Sequence, residues 1–175
     1  MNKIIETLRI ESNEWINKLS PNEKYAIKKY SYNSHESGNK KFFFRLNAFL
    51  RKDYMGNDTD MLAEYSELIS SAISKYQLKQ DLICYRKVDF VAKNLLVVGN
   101  IISFDQFIST SIFKNSCLRK EILMKIHVPK GSVGAYIELL SSYPEQYEFL
   151  LDKNCRYRII KSEPKYIELE VVNHD

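Results

Sequence analysis

Apolar positions in the first part of the chain recur at helical spacing. Ile4, Ile5, Leu8, Ile10, Trp15, Ile16 and Leu19 predict a helix over residues 3–19. Ser20-Pro21-Asn22-Glu23 is a helix start: Ser as cap, Pro at the first helical position and Glu three residues after the cap. The helix it opens is expected to run to about Tyr30. The polar stretch Ser31–Asn39 reads as a loop. Residues 40–52 predict a third helix with Phe43, Leu46, Phe49 and Leu50 on its buried face. Residues 59–76 predict a fourth, with Met61, Leu62, Tyr65, Leu68, Ile69, Ala72 and Ile73 inward.

From residue 81 the period shortens. Residues 82–86, 106–112, 122–128, 135–139, 148–151, 156–161 and 167–172 are short apolar or alternating runs bounded by Asp, Asn, Gly, Lys and Pro. A run of strands after a run of helices indicates an α+β chain with a mostly antiparallel sheet. No internal repeat or low-complexity segment is visible. No break separates the helical part, about 1–80, from the β-rich part, about 81–175, so one domain over 1–175 is expected.

Composition agrees with a packed globule: 175 residues, 45% of them hydrophobic, with only 5 Gly and 4 Pro. The formal charge of +4 is too small and dispersed to argue for nucleic-acid binding, and it does not oppose an anionic ligand. Cys84, Cys117 and Cys155 lie far apart, which favours free thiols over disulfides or zinc. His35, His127 and His174 are scattered, and no metal site is expected. The N-terminus carries no apolar signal segment and no stretch is long enough to span a bilayer, so membrane insertion is not expected.

Three polar points in the β half carry candidate chemistry. Arg86 ends the run Leu82-Ile83-Cys84-Tyr85, where a guanidinium can clamp a phosphate through two parallel hydrogen bonds. In Phe107-Ile108-Ser109-Thr110-Ser111, alternation puts Ser109 and Ser111 on one face and Thr110 on the other. In Gln146-Tyr147-Glu148, an extended segment would point the amide and the carboxylate the same way, just before the apolar strand Phe149-Leu150-Leu151. Taken singly, each has an ordinary explanation as an exposed or strand-borne polar residue.

Together and in this order, the three points resemble the bacterial ADP-ribosyltransferase toxin family, and within it the clostridial Rho-inactivating exoenzyme group. That family carries an Arg on its first core strand, a Ser-Thr-Ser strand and a Glu/Gln-x-Glu turn. Further segments resemble it too: Ser20-Pro21-Asn22-Glu23 with Ala26-Ile27 and Tyr30, then Leu46-Asn47-Ala48-Phe49-Leu50-Arg51. Val98-Gly99-Asn100, Ile126–Gly131 and Glu148–Asn154 extend the likeness, with Asp152 standing where Pro is usual. The resemblance spans about residues 12–172. It implies an ADP-ribosyltransferase-type domain with N-terminal helices packed on a mostly antiparallel, two-sheet β core.

The resemblance also implies a reaction. NAD would be consumed as a substrate, with ADP-ribose passed to a host protein side chain and no metal needed. Glu148 would be the catalytic carboxylate and Ser109 would orient it. Gln146 would face the acceptor; the exoenzymes with Gln there modify asparagine, and an amide can pair donor and acceptor with another amide. Arg86 and Arg51 would hold the pyrophosphate, with Asn47, Thr110, Ser111 and Tyr85 lining the NAD site. Backbone groups near Tyr85 and Arg86 would read the nicotinamide amide. Arg119 or Lys120, in the loop Phe113–Lys120, would approach the phosphates, and Tyr143 would help to dock the target. The expected target is a small GTPase of the Rho type, met by a monomer that is secreted or delivered into the host cytosol. Hydrolysis of NAD, another acceptor (Thr, Gln or Arg) and a non-catalytic NAD-binding module remain alternatives.

Overall fold

The computed structural model describes residues 2–32, 42–92, 97–117 and 119–172. Four helices precede the strands: α1 (Lys3–Ile16), α2 (Pro21–Ser31), α3 (Phe42–Leu50) and α4 (Thr59–Ser74). The predicted loop after Ser31, the predicted first residues of the third helix, His35 and His174 lie wholly or mostly outside the described residues.

Local chemistry sets the helix ends. Asn2 Oδ1 accepts from the Ile4 N–H at 3.0 Å and opens α1. The Ser20 hydroxyl accepts from Glu23 N–H at 3.1 Å, and Glu23 Oε2 accepts from Ser20 N–H at 2.8 Å. This reciprocal pair is the capping box foreseen in the sequence. α3 ends where Lys52 takes a left-handed conformation (φ 65). The Asp53 N–H then reaches Ala48 O at 2.8 Å and the Lys52 N–H reaches Phe49 O at 3.0 Å, which closes the helix in a Schellman arrangement.

Eight strands follow: β1 (Leu82–Val88), β2 (Ile101–Ser103), β3 (Ile108–Ser111), β4 (Ile122–Val128), β5 (Gly134–Tyr136), β6 (Glu148–Leu151), β7 (Arg156–Glu163) and β8 (Tyr166–Val172). Their order is β2-β7-β8-β4-β1-β3-β6-β5, and all pairs are antiparallel except β4 with β8. The α+β class and mostly antiparallel pairing are as expected. The expectation of two separate sheets is corrected. One ladder runs through all eight strands, because β1 meets β3 at the single register pair Tyr85↔Ser111. That one pair joins a five-strand wing to a three-strand wing.

Other boundaries move for local reasons. β2 was not foreseen; it is three residues long, with only Ile102 buried, and it is held on β7. The predicted run 106–112 shortens to β3. The predicted run 135–139 stops at Tyr136, and Glu138–Leu140 forms a 3-10 turn instead.

The helices pack onto one another and onto the three-strand wing. α2 lies on α3 and α4, while α1 and α4 reach β5. Trp15 Nε1 donates to Ala72 O at 2.7 Å, and the Ser12 hydroxyl donates to Tyr136 O at 2.7 Å. β5 and β6 approach closely at Gly134, where a Cβ would stand 2.4 Å from the Phe149 ring. Leu8, Leu46, Ile69, Tyr136, Phe149 and Leu151 belong to one continuous buried cluster.

Candidate functional site

A cavity of about 330 Å³ opens between the helical layer and the sheet. Tyr30, Phe43, Phe44, Asn47 and Arg51 line it from the helices. Tyr85, Arg86 and Lys87 come from β1, and Ser109, Thr110 and Ser111 from β3. Gln106, Ser116, Cys117, Lys120, Tyr143, Gln146 and Glu148 complete the wall. The predicted residues therefore converge, with one exception. Arg119 is not among the lining residues, whereas Lys120 is. Adjacent side chains on a non-helical segment diverge, and the Lys120 ammonium lies 3.7 Å from Asp89.

Glu148 opens β6 opposite Ser111 and is buried. Burial pushes its carboxyl pKa up, and the Ser109 hydroxyl and the Arg86 charge offset this only in part. Arg86 Nη1 donates to Ser109 O at 2.9 Å, so the guanidinium is anchored to the strand that carries the serines. The Thr110 hydroxyl donates to Phe149 O at 2.6 Å and clamps β3 to β6. Ser111 Oγ accepts from the Phe113 N–H at 3.1 Å and opens the following loop. Leu118 of that loop lies outside the described residues.

Asn47 and Arg51 share one face of α3, as their four-residue spacing predicted. Arg51 stands at the closing residue of the helix. Its Nε donates to Asp53 Oδ2 at 3.2 Å, and its Nη1 donates to Gln106 Oε1. Asn47 Nδ2 donates to the Tyr30 hydroxyl at 3.0 Å, while its buried Oδ1 has no partner. A buried acceptor left open beside a cavity fits a ligand that donates there, such as a sugar hydroxyl. Among the described residues, four cationic side chains, Arg51, Arg86, Lys87 and Lys120, share the wall with a single carboxylate, that of Glu148. That balance suits an anionic ligand such as a diphosphate.

The turn before β6 corrects one premise of the sequence reading. Gln146 is not on an extended segment. It ends a 3-10 turn (Pro144–Gln146), and Tyr147 follows with φ 44 and ψ 52. Gln146 and Glu148 still reach the same cavity, through this left-handed residue rather than through strand alternation. Tyr143 stands just before the turn and also lines the cavity.

Tyr30 is the main lining residue that carried no predicted role. It is buried, and burial raises its phenol pKa. Its place on the apolar face of α2, three and four residues after Ile27 and Ala26, is one that an ordinary core residue would also take. Cys117 is half-buried in the wall, while Cys84 and Cys155 are buried; all three are free thiols. Among the described residues, no group of three or more His, Cys, Asp or Glu is placed to hold a metal ion.

A model of the ADP-ribosyltransferase exoenzyme family matches residues 9–173. The chain belongs to that family. It is 32% identical over 162 residues to NAD(+)–arginine ADP-ribosyltransferase EFV of Enterococcus faecalis (strain ATCC 700802 / V583), a match covering 87% of this chain and 31% of that protein. It is 30% identical over 162 residues to mono-ADP-ribosyltransferase C3 of Clostridium botulinum C phage, covering 75% of this chain and 66% of that one. The chain thus spans about a third of the length of the first and about two thirds of the second.

Solved structures share the fold. Plx2a, an ADP-ribosyltransferase toxin from Paenibacillus larvae, superposes with a TM-score of 0.75 at 22% identity, over 98% of this chain and 96% of that one. An ADP-ribosyltransferase from Clostridium botulinum gives 0.72 at 23% identity, over 96% of each. The ADP-ribosyltransferase exoenzyme fold is therefore the frame that brings Arg86, Ser109 and Glu148 to one cavity.

Proposed function

We propose that the protein is a mono-ADP-ribosyltransferase that cleaves NAD and transfers ADP-ribose to a side chain of a host protein. One observation carries this reading. In a chain of the exoenzyme family, a buried carboxylate (Glu148) sits beside Ser109 and Arg86 in a cavity walled by cations.

The bond between nicotinamide and ribose breaks with its electron pair going to the pyridinium nitrogen, which leaves as neutral nicotinamide. The ribose C1′ is left with oxocarbenium character, as in glycoside cleavage. The Glu148 carboxylate accepts a hydrogen bond from the ribose 2′-hydroxyl and stabilises charge that exists only in the transition state. Ser109 orients that carboxylate. Arg86, Arg51 and Lys120 hold the pyrophosphate, and the open Oδ1 of Asn47 accepts from a sugar hydroxyl. The acceptor nitrogen then bonds to C1′ and loses its proton.

Gln146 faces the acceptor in this reading. Its amide suits an asparagine, and the target we propose is an asparagine of a Rho-type small GTPase, reached in the host cytosol. Tyr143 contributes to docking. A second reading has support from the 32% identity to a relative named for arginine: the acceptor is then an arginine.

Labelled NAD incubated with host lysate tests the proposal. A labelled protein band, absent with Glu148→Gln, supports transfer, and mass spectrometry of the band identifies the modified residue. Free ADP-ribose without a labelled protein would mean hydrolysis instead. Neither product would leave only NAD binding.

A further inference from the structure

Tyr147 stands between the two residues assigned above to acceptor and carboxylate, yet it does not line the cavity. Its left-handed backbone, φ 44 and ψ 52, is uncommon for a bulky side chain; Gly or Asn adopts it at less cost. Strain of this kind persists where surrounding contacts impose it.

Two contacts hold the residue. Its carbonyl accepts from the Ile112 N–H at 3.1 Å. Its ring meets Phe113 edge to face, with centroids 5.0 Å apart and planes at 86°. Phe113 also opens the loop whose Ser116, Cys117 and Lys120 wall the cavity. The Phe113–Tyr147 contact therefore ties that loop to the turn carrying Gln146.

The two residues flanking Tyr147 are held differently. Glu148 is fixed by the sheet: it pairs with Ser111, its carbonyl accepts from the Ile137 N–H at 3.0 Å, and its neighbour's carbonyl takes the Thr110 hydroxyl. Gln146 lies outside the ladder. Its turn is closed only locally, by Gln146 N–H to Tyr143 O and Tyr147 N–H to Pro144 O, each 3.1 Å. The position of the amide relative to the carboxylate therefore follows the two dihedral angles of Tyr147 and whatever holds its ring.

We propose that Tyr147, seated on Phe113, is a positioning residue for the protein acceptor: it holds the Gln146 amide in register with Glu148 and governs transfer rather than NAD cleavage. The inference rests on the transferase reading above.

The test measures NAD cleavage into water and transfer to host-lysate protein separately, using labelled NAD. The variants are Tyr147→Phe, Tyr147→Asn, Phe113→Leu and the double Tyr147→Asn/Phe113→Leu. Tyr147→Phe keeps the ring and should keep both rates. Tyr147→Asn tolerates the backbone but loses the ring, and Phe113→Leu keeps apolar bulk but loses the edge-to-face contact. Each should lower the rate of transfer about tenfold, the scale of a well-placed aromatic contact, with NAD cleavage retained as proof of folding. The double variant should fall no further than the more impaired single, because one contact is lost twice. Equal losses in both rates, unchanged transfer, or additive losses would overturn the inference. A wild-type protein that neither cleaves NAD nor labels protein would instead remove the transferase reading, and this inference with it.

Discussion

Glu148 has the environment of a group held partly against its charge. Burial raises its pKa, and Ser109 and Arg86 only partly compensate. The ionised form is the one that can stabilise an oxocarbenium, so NAD cleavage should fall in acid at a higher pH than an ordinary glutamate would give. Stability runs the other way. A carboxyl whose pKa is higher in the folded state than in the unfolded chain contributes stability below the unfolded pKa, and loses it as pH rises through the folded pKa. Glu148→Gln should therefore abolish NAD cleavage and transfer, yet melt higher than wild type at neutral pH. The gap should close on acidification. A variant that kept full activity would contradict the mechanism. Gln146→Ala should lose transfer while retaining NAD cleavage, measured as free nicotinamide. Arg86, Ser109 and Glu148 stood out in the sequence as polar groups at the end of, or inside, an apolar strand, but only their joint resemblance to the exoenzyme family gave them roles. Tyr30 did not stand out, since a tyrosine on an apolar helix face looks like core until Asn47 is found on its hydroxyl.

At the scale of elements, local hydrogen bonds explain what could be read early. The capping box of α2 involves only Ser20 and Glu23, so its sequence signature is complete in four residues. Ser20→Ala should cost about 1 kcal/mol of stability in a urea titration. Burial of Glu23 would raise its pKa, but hydrogen bonds from Lys75, Ser71 and Ser20 overcome this and bring it down from 4.5 to about 2. The stability that this group adds is thus full above about pH 4.5 and is lost as pH falls towards 2. The three-residue strand β2 was invisible for the opposite reason. Its alternation is too short to register, and its backbone is satisfied by β7, more than fifty residues away. The turn into β6 was misread as extended because a left-handed tyrosine carries no signal in residue type.

For the whole molecule, the cavity matters because it lies between layers. Asn47 and Arg51 come from α3 and its end, whereas Arg86, Ser109 and Glu148 come from three different strands. A ligand that spans them should brace the helices against the sheet. NAD at a hundredfold excess over its dissociation constant should stabilise the fold by about 2.7 kcal/mol, read as a rise in melting temperature. Glu148→Gln should keep most of that rise, since binding does not need the carboxylate's chemistry. Arg51→Ala should need more NAD to reach it. If NAD left the melting temperature of Glu148→Gln unchanged, the cavity would not be the nucleotide site.

The residues alone determined the helices, the capping box of α2, most of the strands and the polar types present at the site. Those features arise from neighbours within about four positions, or from the period of burial along one element. Tertiary structure decided the strand order, the union of two wings at Tyr85 and Ser111, and the convergence of Lys120 rather than Arg119 on the cavity. It also decided how Gln146 reaches the side of Glu148, through the backbone of Tyr147 and its contact with Phe113. Pairings such as Ser111 with Glu148 join segments far apart in the chain. Their energy appears only once the layers have packed, so no local pattern records them.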